Sequence, residues 1–344
     1  MAKATIDDVA ALAGVSIKTV SRVVNREPNV RETTRLRVEQ AISRLNYRPN
    51  ISARNLASHR SHLIVLVYDD PSVYETPSSG YVIRMQQGTL HACRMANYEL
   101  LIHPCNYRDR NVKGELTGLI ERTRPDGLVV AAPLSNMPRV VDAIASTNTP
   151  FVRLSPGGRN GGEYSVATND REISAEMTRY LASEGHRRIA FIKGHPKHKA
   201  VGNRFKGYRD GLEQSGLEFA EELVIDGDNS IGSGATAAEE LLDLANAPTA
   251  VFAANDDMAA GVVRVAIQRG IRIPDDLSVA GFDDSSLAKQ ITPALTTVRQ
   301  PLLEMAERAA SFLIEEGRAD GNRAEPEVIP AELRIRESTG AAPT

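Results

Sequence analysis

Between residues 63 and 281 short apolar runs alternate with amphipathic stretches, and this pattern restricts the fold more than any other feature of the chain. The runs predict strands over 63–68, 98–103, 127–131 and 150–154, with helices over 80–96, 109–123 and 136–147 between them. A second set predicts strands over 164–167, 189–193, 222–225, 250–253 and 278–281, separated by helices over 171–184, 199–214, 234–244 and 256–268. Strand–helix–strand alternation gives parallel pairing, because parallel neighbours need a long crossover. Two doubly wound parallel sheets in tandem enclose a cleft, with polar residues at the carboxyl ends of their strands.

At 344 residues the chain is long enough for two or three domains. With 42% hydrophobic and 25% charged residues, neither a globally disordered chain nor a membrane protein is indicated. No apolar run reaches the ~18 to 20 residues that span a bilayer, and Met1-Ala-Lys-Ala-Thr5 has no apolar signal core. These features predict a cytoplasmic protein without membrane contact. Cys93 and Cys105 are too few for a disulfide framework and lack the CxxC spacing of a metal or redox site, so both read as buried thiols.

Ahead of the alternating region, Thr5 to Asn25 reads as two short helices hinged at Gly14. Thr5 can cap the first helix, Val9, Ala10 and Ala13 share a face, and Gly14 accepts the positive φ of a helix end. Ser16 can cap the second, where Val20, Val23 and Val24 form the buried face and Ile17, Lys18, Ser21 and Arg22 point away. Such a helix fits the major groove of DNA, and Arg22 can bond bidentately to a guanine edge. The alternative is a small helical hairpin with a solvated basic face.

Charge distribution favours the first reading. Residues 1–62 hold 11 Lys and Arg against 5 Asp and Glu, whereas the remainder holds 30 against 39. A basic cluster at one end of an acidic chain is the footprint of phosphate binding. A third helix over 31–45 closes the head, with Arg31 a poor cap at its start. A short helix over 51–58, capped by Asn50 after Pro49, follows; alone it is too short to be stable and needs a partner.

Ile6-Asp-Asp-Val-Ala, Gly14-Val-Ser, Thr19-Val-Ser-Arg-Val-Val-Asn25, Leu45-Asn-Tyr-Arg-Pro-Asn50 and Ala53-Arg-Asn-Leu56 closely resemble the LacI/GalR family of bacterial transcriptional regulators. The resemblance continues through Gly185-His-Arg-Arg-Ile-Ala-Phe-Ile-Lys-Gly194, Arg204-Phe-Lys-Gly-Tyr208, Ala254-Asn-Asp-Asp-Met-Ala-Ala-Gly261, Val279-Ala-Gly-Phe-Asp-Asp284 and Leu295-Thr-Thr-Val-Arg-Gln-Pro301. It implies an all-α helix-turn-helix head and an α/β periplasmic-binding-protein-like body of two doubly wound parallel-sheet subdomains. The implied divisions are a DNA-binding domain at 1–48, a hinge helix and linker at 49–62, one subdomain at 63–163 plus about 299–329, a second at 164–298 plus about 330–340, and a tail at 341–344. By the same analogy the chain crosses between subdomains near 163, 293–298 and 330.

For DNA the resemblance implies contacts from Thr5, Ser16, Ile17, Lys18, Thr19, Ser21, Arg22, Asn25, Asn50, Ala53 and Leu56. Leu56 matches the hinge-helix leucine that wedges into the minor groove and bends the duplex. For the cleft it implies effector contacts from Arg204, whose fork can hold vicinal hydroxyls or a carboxylate, and from Asp283, whose carboxylate accepts from a polyol. Asn255 and Asp256 divide two further roles, ligand contact and capping or holding a loop. Tyr74 can stack on a sugar, although its loop departs from the family pattern. His195 and His198 form an HxxH pair, but Pro196 interrupts it, so His198 reads as a polyol contact and not a metal ligand. The family commonly has Asp-Asn where this chain has Asn169-Asp170, which leaves any contact there unassigned.

The resulting expectation is a homodimeric repressor without cofactor or metal, binding a pseudo-palindromic double-stranded operator under control of a small-molecule effector. A carbohydrate is the first effector class and a purine or other metabolite the second. The segment after Pro330 has no leucine heptads, so no tetramerising coil is expected. A transport binding protein would share the body but not the head. An enzyme is disfavoured, since neither a GxSxG elbow nor a Walker loop is present and Ser286-Leu-Ala-Lys289 falls in a family-like stretch.

Overall fold

The computed structural model describes residues 4–24, 29–47, 60–69, 79–157, 164–315 and 326–343. They belong to two compact units, one ending at Ser61 and one beginning at His62.

The first unit contains helices α1 (Ile6–Ala13), α2 (Ile17–Val24) and α3 (Glu32–Leu45). Thr5 and Asp8 form a capping box: Asp8 N–H donates to Thr5 Oγ1 at 3.3 Å, and Thr5 N–H donates to Asp8 Oδ2 at 2.8 Å. Gly14 then ends α1 at φ +63°, where a side chain would be strained. Val9, Ala10, Ala13, Val20, Val23, Val38 and Ala41 form the core of this unit, while Val24 is only half-buried. Arg31 precedes α3 without a side-chain capping bond, as its residue type implies.

In the second unit the first half runs β1 (Leu63–Asp69), α4 (Ser79–Met95), β2 (Glu99–Cys105), α5 (Val112–Thr123), β3 (Gly127–Val130), α6 (Pro138–Ala145), β4 (Phe151–Leu154) and β5 (Ser165–Ala167). The second half runs α7 (Asp170–Ser183), β6 (Ile189–Lys193), α8 (Lys199–Gln214), β7 (Val224–Asp226), α9 (Ile231–Leu242), β8 (Ala250–Ala253), α10 (Asp256–Gln268), β9 (Ser278–Asp283), α11 (Ser286–Gln290) and β10 (Thr296–Arg299). The chain then returns through α12 (Leu302–Glu315), β11 (Glu327–Val328) and β12 (Glu332–Arg334). One sheet has the order β11-β5-β4-β3-β1-β2 and the other β12-β10-β9-β8-β6-β7. Among the described residues every strand pairing is parallel except that of β12 with β10.

Strand β5 departs from the expected division at residue 164. It pairs with β4, Arg153 opposite Ser165, and therefore belongs to the first sheet, so the chain crosses at 168–169 instead of near 163. Three residues of strand carry too little periodicity to reveal which sheet they join. The second crossing lies between β10 and α12, whose Leu302, Met305, Ala309 and Leu313 pack in the first sheet's core; the third lies between β11 and β12. The first and third are tied together, since Thr168 Oγ1 donates to Ile329 O at 2.7 Å and Ala331 N–H donates to Asn169 Oδ1 at 2.8 Å.

Other boundaries shift for local reasons. Helix α5 starts at Val112 and not at 109, because Asn106 and Asp109 accept bonds from the amides two residues on, at 2.9 and 2.8 Å, and hold two turns there. Pro138 occupies the first turn of α6, after a 3-10 turn at Leu134–Asn136. The strand expected over 222–225 is displaced to Val224–Asp226, behind a 3-10 turn at Glu221–Leu223.

Candidate effector cleft and DNA-reading helix

Both sheets reverse their winding, the first between β1 and β3 and the second between β6 and β8. Loops leaving the strand ends at such a point diverge to opposite faces and open a crevice. A cavity of about 470 Å³ lies there, reached by Tyr68 and Asp69 at the end of β1, Ala132 after β3, His195 after β6 and Asn255 after β8. Its size and mixed lining suit a small polar ligand.

Arg204 enters from α8 and is only 6% exposed. Its Nε donates to Asp170 Oδ1 at 2.9 Å, one terminal nitrogen donates to Ala254 O at 2.6 Å, and the same nitrogen lies 3.8 Å from Asp283 Oδ1. The guanidinium stacks 3.7 Å from the centre of the Phe282 ring. It is thus fixed in orientation before any ligand arrives, which lowers the ordering cost of binding. The same spacing that places Arg204 puts Gly207 one turn on, where a Cβ would stand 2.1 Å from Arg171 O, so α7 and α8 approach closely.

Asp283 ends β9 with φ +123° and accepts a short hydrogen bond from Gln300 Nε2 beside the second crossing. Burial pushes its carboxyl pKa up, while Arg204 and the Gln300 bond act in the opposite direction. Asn255 caps a helix and also borders the cavity. Its Oδ1 accepts from Met258 N–H at 2.9 Å and caps α10, its Nδ2 donates to Asn229 O at 2.9 Å, and it lines the cavity.

Asp256 is a correction to the effector set. It is absent from the cavity lining and does not cap α10. Its carboxylate is 1% exposed and accepts from Thr297 Oγ1 at 2.6 Å and from Ser285 N–H at 2.7 Å, holding the loop after β9. Burial raises its pKa, with the nearby Asp283 acting in the same sense. Neighbouring Asn and Asp at a strand end cannot both face the crevice, since successive side chains diverge.

His198 lines the cavity, and burial followed by repulsion from His195 and Arg204 depresses its pKa to about 3, so the ring is neutral. His195, lowered by burial first and then by Arg108, bonds to Tyr107 Oη at 3.0 Å through Nε2. That bond joins the loop after β2 to the loop after β6 and spans the crevice. Arg84 donates across it as well, to Asp284 O at 3.3 Å. Tyr74 lies outside the described residues.

Sequence reasoning missed Tyr81 and Arg108 from the first sheet's side and Asp228, Asn229 and Ser230 from the second. Tyr81 sits inside an ordinary amphipathic helix and carried no signal. The turn Gly227-Asp-Asn-Ser230 follows a strand end and could have been found from that location: Asn229 has φ +74°, and its Oδ1 accepts from His195 N–H at 3.1 Å.

In the first unit, α2 presents Ile17 (48% exposed) and Lys18 outward, with Ser21 and Arg22 half-buried beside them. Ser16 Oγ accepts from Thr19 N–H at 3.2 Å and meets Thr19 Oγ1 at 2.9 Å, fixing the start of the helix. Thr5 is exposed but engaged in its capping box. The candidates Asn25, Asn50, Ala53 and Leu56, with the hinge helix, lie outside the described residues. No helix among the described residues is long and apolar enough to cross a membrane.

Known proteins resemble this chain over nearly its whole length. Residues 5–50 match the family model for bacterial regulatory proteins of the lacI family, and residues 178–339 match a periplasmic binding protein-like domain. The HTH-type transcriptional regulator DegA of Bacillus subtilis (strain 168) is 34% identical over 339 residues, 98% of either chain. Among solved structures, the lac repressor dimer bound to operator and the anti-inducer ONPF superposes with a TM-score of 0.79 at 26% identity, covering 99% of this chain and 100% of that one. A complex of the transcriptional regulator CelR with cellobiose gives a TM-score of 0.72 at 30% identity, covering 98% and 100%. A helix-turn-helix head joined to a two-sheet body with a polar crevice, matched in order and along the length of such regulators, makes this chain a member of the LacI family of bacterial transcriptional regulators.

Proposed function

We propose that the chain is a homodimeric repressor whose affinity for a pseudo-palindromic operator is set by a carbohydrate in the crevice. The observation that carries this reading is the pairing of a preoriented Arg204 with Asp283 and Asn255 on one wall of a cavity of about 470 Å³. A guanidinium fork and a carboxylate 3.8 Å apart suit vicinal hydroxyls, which both accept and donate. Tyr81 and Tyr68 supply apolar surface for a ring face. The CelR complex holds cellobiose, and the lac repressor complex holds ONPF on operator. On DNA, Lys18, Ser21 and Arg22 read the major groove, and Leu56 wedges the minor groove when the hinge helices pair.

Control is linkage: a ligand shifts operator affinity only through its different affinity for the two arrangements of the body. Thermal-shift titration of the purified chain with neutral mono- and disaccharides, and with adenine and hypoxanthine as the non-sugar arm, tests the effector class. Stabilisation by a sugar that also changes binding to a selected operator is expected. Stabilisation by the purines alone would overturn the carbohydrate assignment.

A further inference from the structure

His103 and Cys105 alternate on β2 and so share one face of the strand, the face covered by α5. Glu115 projects from the first turn of α5 onto the same spot. Its Oε1 lies 2.8 Å from His103 Nε2, and its Oε2 accepts from Cys105 Sγ at 3.6 Å. All three potential ligand atoms fall within 4.8 Å of one another. The group is outside the effector crevice and none of its members lines that cavity.

From these positions we infer that His103, Cys105 and Glu115 form a binding site for a thiophilic divalent cation, with zinc the best fit. His103 Nε2 is buried and makes no hydrogen bond, although a carboxylate oxygen stands 2.8 Å away. The imidazole nitrogen and the carboxylate oxygen thus converge on one point, where either a proton on Nε2 or a bound cation can hold them together. Ligand atoms around tetrahedral zinc stand about 3.3 to 3.8 Å apart, given bonds of about 2.0 to 2.3 Å, so small side-chain rotations close the set. One imidazole, one thiolate and one carboxylate is a borderline-soft donor set that disfavours magnesium and calcium. Cys105 is 1% exposed, whereas the His103 and Glu115 side chains are 21% and 34% exposed, leaving a path for entry and for water as the fourth ligand.

The electrostatics point the same way. Asp69 stands opposite Cys105 in the β1–β2 register, so a further carboxylate neighbours the site. Loading proceeds with release of the thiol proton: Cys–SH + M²⁺ gives Cys–S–M⁺ + H⁺. The framework is a strand and a helix packed through Val112 and Leu116, which suits a site of fixed geometry. Tyr107, two residues beyond Cys105, carries the bond to His195 across the crevice, so the cation would stiffen the base of that segment.

The test uses the full chain stripped with a chelator and titrated with Co²⁺. We expect about one Co²⁺ per chain, a thiolate-to-cobalt charge-transfer band in the near ultraviolet, the visible spectrum of a tetrahedral ion, and displacement by Zn²⁺. Cys105→Ser removes the charge-transfer band. Cys93→Ser, altering a thiol in the separate core on the other face of the sheet, keeps it. Glu115→Gln, at a partly exposed position that tolerates substitution, weakens binding at least about tenfold and serves if the Cys105 variant fails to fold. A wild-type chain without the thiolate band, a band surviving in Cys105→Ser, or Glu115→Gln binding as tightly as wild type overturns the site.

Discussion

Arg204 Nε donates to Asp170 Oδ1 at 2.9 Å, and the two side chains are 7% and 5% exposed. Asp170 stands directly after the first crossing between the sheets, and Arg204 faces the crevice. Asp283, the second polar residue on that wall, accepts from Gln300 beside the second crossing. Arg204 and Asp283 are thus each held by a residue beside one of the segments that join the two sheets.

Removing one partner of the buried pair exposes its structural worth. Arg204→Met leaves the Asp170 carboxylate buried without its cation, and breaking such a pair costs about 3 to 5 kcal/mol. Adding Asp170→Asn recovers part of that loss without restoring ligand binding. Urea unfolding of the two variants checks this; a single variant as stable as wild type would show that the pair contributes little.

Tyr107→Phe deletes the hydroxyl bonded to His195 across the crevice. One hydrogen bond contributes about 0.5 to 1.5 kcal/mol, so unfolding of the empty protein should ease by about that amount, and effector affinity should change only by the difference in this bond between the empty and bound forms, at most about tenfold. Calorimetric titration separates the two readouts.

Asp256 makes stability depend on pH. Burial raises its pKa to about 8 in the folded chain, above its unfolded value. The sign follows from linkage: its contribution is fully present below the ordinary aspartate range and is lost as pH rises through about 8. Asp283, also raised, adds in the same direction. Asp256→Asn should flatten this decline, read from urea midpoints at constant ionic strength. An unchanged slope would assign the titration elsewhere.

Gly207→Ala introduces a methyl group 2.1 Å from Arg171 O and 2.8 Å from Ser174 Cβ. Because backbone is in the way, α7 and α8 must separate, and overpacking of this kind costs about 1 to 3 kcal/mol. The melting temperature reports it directly.

Arg22→Ala should cost about 1 to 3 kcal/mol on the selected operator and relax preference at one base pair. Binding measured against single-base operator variants is decisive, since an equal loss on random DNA would mean that Arg22 contacts only phosphate.

Local chemistry wrote much of this protein into its sequence. Capping at Thr5, the positive-φ end at Gly14, and the alternation from Leu63 onward depend on residues a few positions apart, and they appear where those residues require. Arg204, Asn255, Asp283 and His198 were legible as crevice residues because strand ends and the family resemblance locate them, and all four line one cavity. Contacts between distant segments were not legible. Strand β5 joins the first sheet because of its neighbour β4, Asp256 turns inward because Thr297 and Ser285 receive it, and Asp170 meets Arg204 from 34 residues away. His103, Cys105 and Glu115 likewise become a cluster only when α5 packs over β2. Sequence determines which conformations each short segment prefers, since those preferences arise from nearest neighbours along the chain. Which polar side chains meet is decided by packing, because a buried charge or donor settles wherever the folded layers bring it a partner.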